Sequence, residues 1–511
     1  MVSPFVVTTP IYYVNASPHM GSAYTTMVAD AVARYHRLRG EPVLMITGTD
    51  EHGQKIERTA AERGIPPQQH CDEIAAEFVA LWQHLGIEYD RFIRTTDPRH
   101  LQVVNDFFQR VWEQGDIYLA QQQGWYCVGC ETFYDESELG ENHTCLIHLK
   151  PTEWRDEPNY FFRLSRYQEK LEALYREQPD FILPPSRRNE VINFVAQGLR
   201  DFSISRLNVS WGIPVPRDPE QTIYVWFDAL INYLSALLAP GDEPRLEVAL
   251  QRGWPASLHL VGKDIVRFHA IYWPAMLMSA GLPLPKRIFG HGFLTKDGQK
   301  MGKSLGNTLD PWQLVNQYGR DAVRYYFLKE IELGKDGDFS EARFRDLLNA
   351  DLANDLGNLL NRSLNMLKKY RDYSIPEVTI PPDHPLKVLA EQVIPMAEAA
   401  YEIPNFTQAA EAALTLVRSS NKYLDSEAPW TKFKQGEQQQ VEMILYAVLE
   451  SVRIAALILA PITPELSLTI WRQLGYGVLT FADLHWQDIT WGSLAAGQVP
   501  QAPQPVFQRL G

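Results

Sequence analysis

Gly292-Phe-Leu-Thr-Lys-Asp-Gly-Gln-Lys-Met-Gly-Lys-Ser-Leu-Gly-Asn307 decides how this chain is read. It begins as a strand and turns at Asp297-Gly298, a pair that tolerates the positive φ of a tight hairpin. It ends in a cationic loop, Lys300-Met-Gly-Lys-Ser304. Two ammonium groups, a hydroxyl and a glycine that admits close backbone approach form a phosphate-binding set. A Walker A loop would need four residues between its first glycine and Gly-Lys-Ser. Asp297 stands where that glycine belongs, and Gly298 comes one residue late. The loop therefore needs a second phosphate-binding segment elsewhere in the chain.

That segment is found near the N-terminus. Phe5-Val-Val-Thr-Thr9 reads as a buried strand, and Pro10 to Pro18 as a loop. A helix follows over about 21–39, with Ala23, Met27, Ala31, Tyr35 and Leu38 at helical spacing. A second strand covers 42–47. This is a strand–helix–strand unit of a doubly wound sheet. Pro18-His19-Met20-Gly21 lies where the strand's carboxyl end meets the helix N-terminus, a place that favours an anion. Taken alone, His19 reads as a helix-capping or surface histidine.

At 511 residues the chain exceeds one core, and about three domains are expected. No apolar run has the length of a membrane span, and the first residues lack a signal-peptide pattern, so a soluble cytoplasmic protein is expected. Four cysteines do not suggest a disulfide scaffold. A net charge of −14 argues against non-specific nucleic-acid binding, so RNA would have to be read by particular side chains.

Cys127-Val-Gly-Cys130 is followed by Cys145-Leu-Ile-His148. This spacing suits tetrahedral zinc, with Cys127, Cys130, Cys145 and His148 as ligands. Four protein ligands leave no open position, so the zinc is read as structural. A metal-free loop with reduced thiols is the plainer alternative. Cys71 reads as a small buried residue. Further on, 222–227 reads as a strand entering a helix over 228–235, and 259–262 as a strand entering a helix over 263–278. Beyond Phe339 the pattern becomes helical. A long helix opens at Asp351, and segments at about 385–402, 405–425, 437–459 and 463–475 imply a bundle.

The pairing of His19-Met-Gly21 with Lys300-Met-Gly-Lys-Ser304 resembles the two signatures of class I aminoacyl-tRNA synthetases. Thr9-Pro-Ile-Tyr-Tyr-Val-Asn-Ala-Ser-Pro-His-Met-Gly21, Thr47-Gly-Thr-Asp-Glu-His-Gly53, Tyr224-Val-Trp-Phe-Asp-Ala229 and His259-Leu-Val-Gly-Lys-Asp-Ile265 are similar to the methionyl-tRNA synthetase family. The chain departs from it at Ser22, usually histidine, and at Gly302, usually serine.

The resemblance implies an α/β fold: a doubly wound, Rossmann-type catalytic domain (1–116 and 217–292) with a zinc-knuckle insertion (117–216). A loop and linker (293–345) then lead to an all-α anticodon-binding bundle with a C-terminal tail (346–511). It implies activation of L-methionine by ATP with Mg²⁺, then transfer to the elongator and initiator tRNA-Met. It implies His19, Lys300 and Lys303 as catalytic groups. ATP would be held by these with Gly21, Ser22, Gly262, Asp264 and Ser304. Methionine would be lined by Ile11, Tyr13, Trp226, Ala229, Tyr233, Ile265 and His269, with Asp50 taking the ammonium. The CAU anticodon would be read by Asn354, Asn358, Arg362 and Trp430. No membrane partner is implied, and the chain stops before the dimerising domain of some relatives, so a monomer is expected. Without the resemblance, the apolar lining residues read as core and the Asn/Arg face as a solvated helix side. A tRNA-binding relative without catalysis is the alternative, resting on Ser22 and Gly302 alone. A nucleotidyltransferase unrelated to tRNA would have no use for the Asn354/Asn358/Arg362 face.

Overall fold

The computed structural model describes residues 3–147, 149–301, 307–477 and 479–511. The chain divides into two compact units, one of residues 1–29, 44–83 and 87–291, the other of 30–43, 84–86 and 292–511.

The first unit is built on a six-stranded sheet, in the order Arg91–Arg94, Val43–Asp50, Phe5–Tyr13, Leu258–Gly262, Ile288–His291 and Ile182–Leu183. The first half of the chain winds outward from Phe5–Tyr13 on one side. The second half returns on the other side, with Thr8 opposite His259 in parallel register. The switch point therefore lies between Phe5–Tyr13 and Leu258–Gly262, where doubly wound sheets bind ligands beyond the strands' carboxyl ends. The edge strand Ile182–Leu183 comes from within residues 117–216, expected as an insertion, and thus joins the main sheet. The rest of the insertion carries an antiparallel sheet in the order Thr132–Tyr134, Ile117–Cys127, Glu153–Phe162 and Phe202–Ser203.

Three local readings need correction. The strand from Phe5 runs on through Pro10 to Tyr13. Proline lacks one ladder donor, but the chain beyond it stays tied to its neighbour, Val14 N–H donating to the Asp50 carbonyl at 3.2 Å. The strand before Ala229 ends at Ile223, and the helix spans Val225–Ser235, so Trp226 sits in a first helical turn. The segment after Gly262 is a turn and then a π-helical stretch, Phe268–Tyr272, before the α-helix Trp273–Ser279. The helix predicted near 21–39 is Met20–Leu38, and its apolar positions Ala23, Met27, Ala31, Tyr35 and Leu38 are all buried.

In the second unit, Leu294–Lys296 pairs antiparallel with Gln299–Lys300, and Asp297 (φ 50°) and Gly298 (φ 75°) form the turn. Both turn residues have positive φ, as the Asp-Gly pair required. Gly337–Phe339 adds a parallel third strand. The helices Pro385–Glu402, Phe406–Glu427, Gln438–Leu459 and Pro464–Gln473 form the predicted bundle, with the long 438–459 helix buried along most of its length. The helix expected to open at Asp351 is instead π-helical over Asn349–Gly357 and α-helical from Asn358 to Arg371.

Candidate active site

At the switch point, His19 caps the helix that follows the first strand. Its Nδ1 accepts the backbone N–H of Gly21 at 3.0 Å and of Ser22 at 3.4 Å. A nitrogen accepting N–H bonds carries no proton, so in the neutral ring the proton is on Nε2, which becomes a donor. Ser22 closes the turn reciprocally, its Oγ accepting from His19 N–H at 3.2 Å and donating to the His19 carbonyl at 2.7 Å. Gly21 is dictated by this fold-over. A Cβ there would lie 2.9 Å from His19 Cε1 and 3.0 Å from Nδ1. The cap thus fixes the ring's tautomer through Nδ1. His291, at the end of its strand, supports the same turn. Its Nε2 is 2.8 Å from Thr25 Oγ1, whose hydroxyl donates to the Gly21 carbonyl.

Asp50 ends the second strand. It is buried, and its Oδ1 has no hydrogen-bond partner among the described residues. Burial, followed by the charges of Asp228 and Glu131, pushes its carboxyl well above the usual range. A carboxylate buried in this way is costly unless a cation or a hydrogen-bond donor meets it. Beside it lies a relay absent from the sequence reading. Asp228 accepts from His52 Nδ1 at 2.7 Å and from His100 Nε2 at 2.6 Å, and His100 Nδ1 meets Ser235 Oγ at 2.7 Å. Burial would raise the Asp228 carboxyl, but the two imidazoles outweigh it and hold it down to about 2.

Of the residues expected to line methionine, Ile265, His269 and Tyr233 are linked by hydrogen bonds. Ile11, Trp226 and Ile265 are partly buried against the same core that contains Tyr233. Trp226 stacks on Phe268 at 3.8 Å. His269 Nδ1 is 3.0 Å from the Ile265 carbonyl, so Nδ1 carries the proton and Nε2 accepts the Tyr233 hydroxyl at 2.7 Å. Burial drops the His269 pKa to about 4, which keeps the ring neutral. Ala229 is buried one turn away from Tyr233 on the same helix.

Tyr13 carries a contact that the sequence did not signal. Its hydroxyl donates to Glu131 Oε2 at 2.8 Å, while Glu131 Oε1 accepts Lys55 N–H at 3.0 Å. Glu131 is buried at φ 52° directly after Cys130. Gly53 leaves room for this clamp, since a Cβ there would sit 2.5 Å from Glu131 Oε1 and 2.8 Å from the Tyr13 hydroxyl. Cys127, Cys130 and Cys145 place their sulfurs within 4.8 Å of one another, with no disulfide, an arrangement that fits a thiolate-bound metal ion. His148 lies outside the described residues, as do Gly302, Lys303 and Ser304. Lys300 is described as the strand position opposite Thr295. Gly262 ends its strand beside Asp264, and a Cβ there would lie 2.6 Å from Asp264 Oδ1.

In the second unit Asn354 and Asn358 are exposed, one turn apart, across the π-to-α junction. Arg362 pairs with Asp425 at 2.6 Å. Trp430 is exposed in the short helix Pro429–Lys434, which follows the left-handed Ala428.

A doubly wound sheet with this capped helix start, in a chain that also carries a helical bundle, has the architecture of a class I tRNA synthetase, and the family models agree. The sequence model of the family described as "tRNA synthetases class I (M)" matches residues 5–145 and 136–364. The model described as "Anticodon binding domain of methionyl tRNA ligase" matches 383–511. The methionine–tRNA ligase of Thermosynechococcus vestitus is 62% identical over 99% of this chain and 97% of its own. The chloroplastic/mitochondrial methionine–tRNA ligase of Arabidopsis thaliana is 54% identical over 99% of this chain and 83% of its own. Among solved structures, the Mycobacterium tuberculosis methionyl-tRNA synthetase in complex with methionyl-adenylate superimposes with a TM-score of 0.92 at 41% identity, covering 99% of this chain and 100% of that one. The chain belongs to the methionyl-tRNA synthetase family.

Proposed function

We infer that the chain is a methionine–tRNA ligase. It activates L-methionine with ATP to methionyl-adenylate and pyrophosphate, then transfers methionine to the 3′ end of tRNA-Met. The observation that carries this reading is Asp50, a buried carboxylate with an unpartnered oxygen at a strand's carboxyl end. A substrate ammonium supplies the cation that it lacks. The neighbouring lining of Ile11, Tyr13, Trp226, Ala229, Tyr233, Ile265 and His269 suits a polarisable thioether chain.

The methionine carboxylate attacks the α-phosphorus of ATP and displaces pyrophosphate, and the terminal hydroxyl of the tRNA then attacks the activated carbonyl and displaces AMP. The protein's work is positioning and charge stabilisation. His19 Nε2–H donates to the phosphates. Ser22 and Gly21 keep its ring in place. Gly262 and Asp264 border the nucleoside, and Lys300, Lys303 and Ser304 neutralise and bind the departing pyrophosphate. Mg²⁺ travels with ATP and adds positive charge there. Cys127, Cys130, Cys145 and His148 are assigned to one structural zinc, which would tie the insertion's loops together when bound. Asn354, Asn358, Arg362 and Trp430 are assigned to the anticodon, amides suiting base edges and tryptophan suiting stacking.

The domains are assigned as 1–116 with 217–292 for catalysis, 117–216 for the insertion, 293–345 for the loop and linker, and 346–511 for anticodon binding. Both elongator and initiator tRNA-Met are assigned as substrates. A monomer working in the cytoplasm completes the reading, and no helix among the described residues is long and apolar enough to cross a membrane. Loss of catalysis has no observation in its favour. Charging of tRNA-Met with methionine tests the assignment of activity. Asp50→Ala should raise the methionine KM by about two orders of magnitude, as expected for an unpaired substrate charge. An unchanged KM would remove Asp50 from the ammonium site.

A further inference from the structure

We propose that Arg418 is a positioning residue for base recognition. One guanidinium selects the π-helical turn that presents Asn354 and Asn358. The proposal rests on the anticodon assignment above.

A π-helix bonds i to i+5, is rare, and appears mostly as single-turn bulges inside α-helices, frequently at functional sites. Here the π segment Asn349–Gly357 is flanked by two α-helices, Glu341–Leu348 and Asn358–Arg371. Two of its carboxylates, four residues apart, converge on Arg418 of the helix Phe406–Glu427. Arg418 Nη2 donates to Asp351 Oδ1 at 2.9 Å, and its Nε donates to Asp355 Oδ2 at 2.9 Å. The third nitrogen, Nη1, donates to Glu411 Oε2 at 3.0 Å. Asn421, one turn on, donates to the Asp355 carbonyl at 2.9 Å, satisfying a backbone acceptor of the π segment itself. Tyr325 OH and Lys329 Nζ complete the shell of Asp351, at 2.9 and 3.7 Å.

Asn354 lies between the two clamped carboxylates and Asn358 begins the α-helix beyond them, so the clamp sets where both amides point. Without Arg418, Asp351, Asp355 and Glu411 face one another with only Lys329 in ion-pair range and Arg343 acting on Asp351 from further off among the described residues, and their mutual repulsion opposes the π turn. A lysine could restore the charge but not the fork that reaches two carboxylates at once.

Arg418→Gln is tested in two assays on the full chain. Aminoacylation should show a tRNA KM raised about tenfold, with methionine-dependent ATP–pyrophosphate exchange unchanged. Discrimination between tRNA-Met and a transcript with one altered anticodon base should narrow by a similar factor, which loosening elsewhere in the bundle would not cause. Arg418→Lys should recover only part of either effect. If Arg418→Gln does not fold, as judged by circular dichroism, Asp355→Asn asks the same question at a half-exposed position. A folded variant with wild-type tRNA KM and wild-type discrimination overturns the proposal. If Asn358→Ala and Trp430→Ala are also silent, the anticodon assignment fails as a whole. If those two are damaging and Arg418→Gln is silent, only the positioning role fails.

Discussion

Gly21→Ala separates stability from catalysis. The glycine is not at positive φ, so alanine fits the backbone and adds up to ~1 kcal/mol of helix propensity. Its Cβ would meet the His19 ring at 2.9 and 3.0 Å, closer than nonbonded carbon and nitrogen allow. The ring is the end of an exposed side chain and can swing away. Swinging breaks the two N–H bonds to Nδ1 and loses a cap worth about 1 kcal/mol. The two terms nearly cancel, so the urea midpoint should move little. The catalytic effect does not cancel, because the Nε2 donor leaves its place. Loss of one preorganised donor to a charged transition state costs about 10²–10³-fold in kcat. Methionine-dependent pyrophosphate exchange measures it directly. His19→Ala should lose as much activity but, with no propensity gain, should also lose about 1 kcal/mol of stability. Exchange within twofold of wild type in a folded Gly21→Ala would refute the argument that the capped ring is the phosphate donor.

Three further outcomes follow from the site. Glu131→Gln removes the charged acceptor from Tyr13 OH and should raise the methionine KM several-fold with little change in kcat, whereas Tyr13→Phe should make Glu131→Gln nearly silent; additive effects would show that the clamp does not act through Tyr13. Asp228 has a folded pKa of about 2, below its ordinary value of 3.8, so the unfolded chain takes up the proton first. Its contribution, on the order of 2 kcal/mol, is present above about pH 4 and disappears as pH falls towards 2; the stability gap between wild type and Asp228→Asn should close over that window, and a pH-independent gap would contradict the relay. Metal analysis should find zinc in the purified chain, and chelation should raise the alkylation rate of Cys127, Cys130 and Cys145 while leaving that of Cys71, outside the cluster in the helix Pro67–His84, unchanged; equal reactivity before and after chelation would argue against a metal site.

The sequence was most legible where structure is local. Asp297-Gly298 specified its turn by φ alone, and the 385–402 and 438–459 helices announced themselves by length and periodicity. Pro10 misled because a proline rule was applied to a strand whose later hydrogen bonds lie beyond the proline. The π segments at 268–272 and 349–357 were invisible because sequence periodicity does not separate i→i+5 from i→i+4 over so few residues. The register at 349–357 also depends on Arg418, far along the chain. His52, His100 and Asp228 are brought together from three distant segments, and nothing in the spacing of any one of them points to the other two. The same holds for Glu131 on Tyr13. His19 was legible as either a cap or a phosphate ligand; the structure makes it a cap through Nδ1 and, through the tautomer this fixes, a donor through Nε2.

The most direct test is ATP–pyrophosphate exchange run separately with each of the twenty amino acids on the zinc-loaded chain. The account predicts robust exchange with methionine, with leucine, isoleucine and valine near background. No exchange above background with methionine, or equal exchange with leucine, would contradict it.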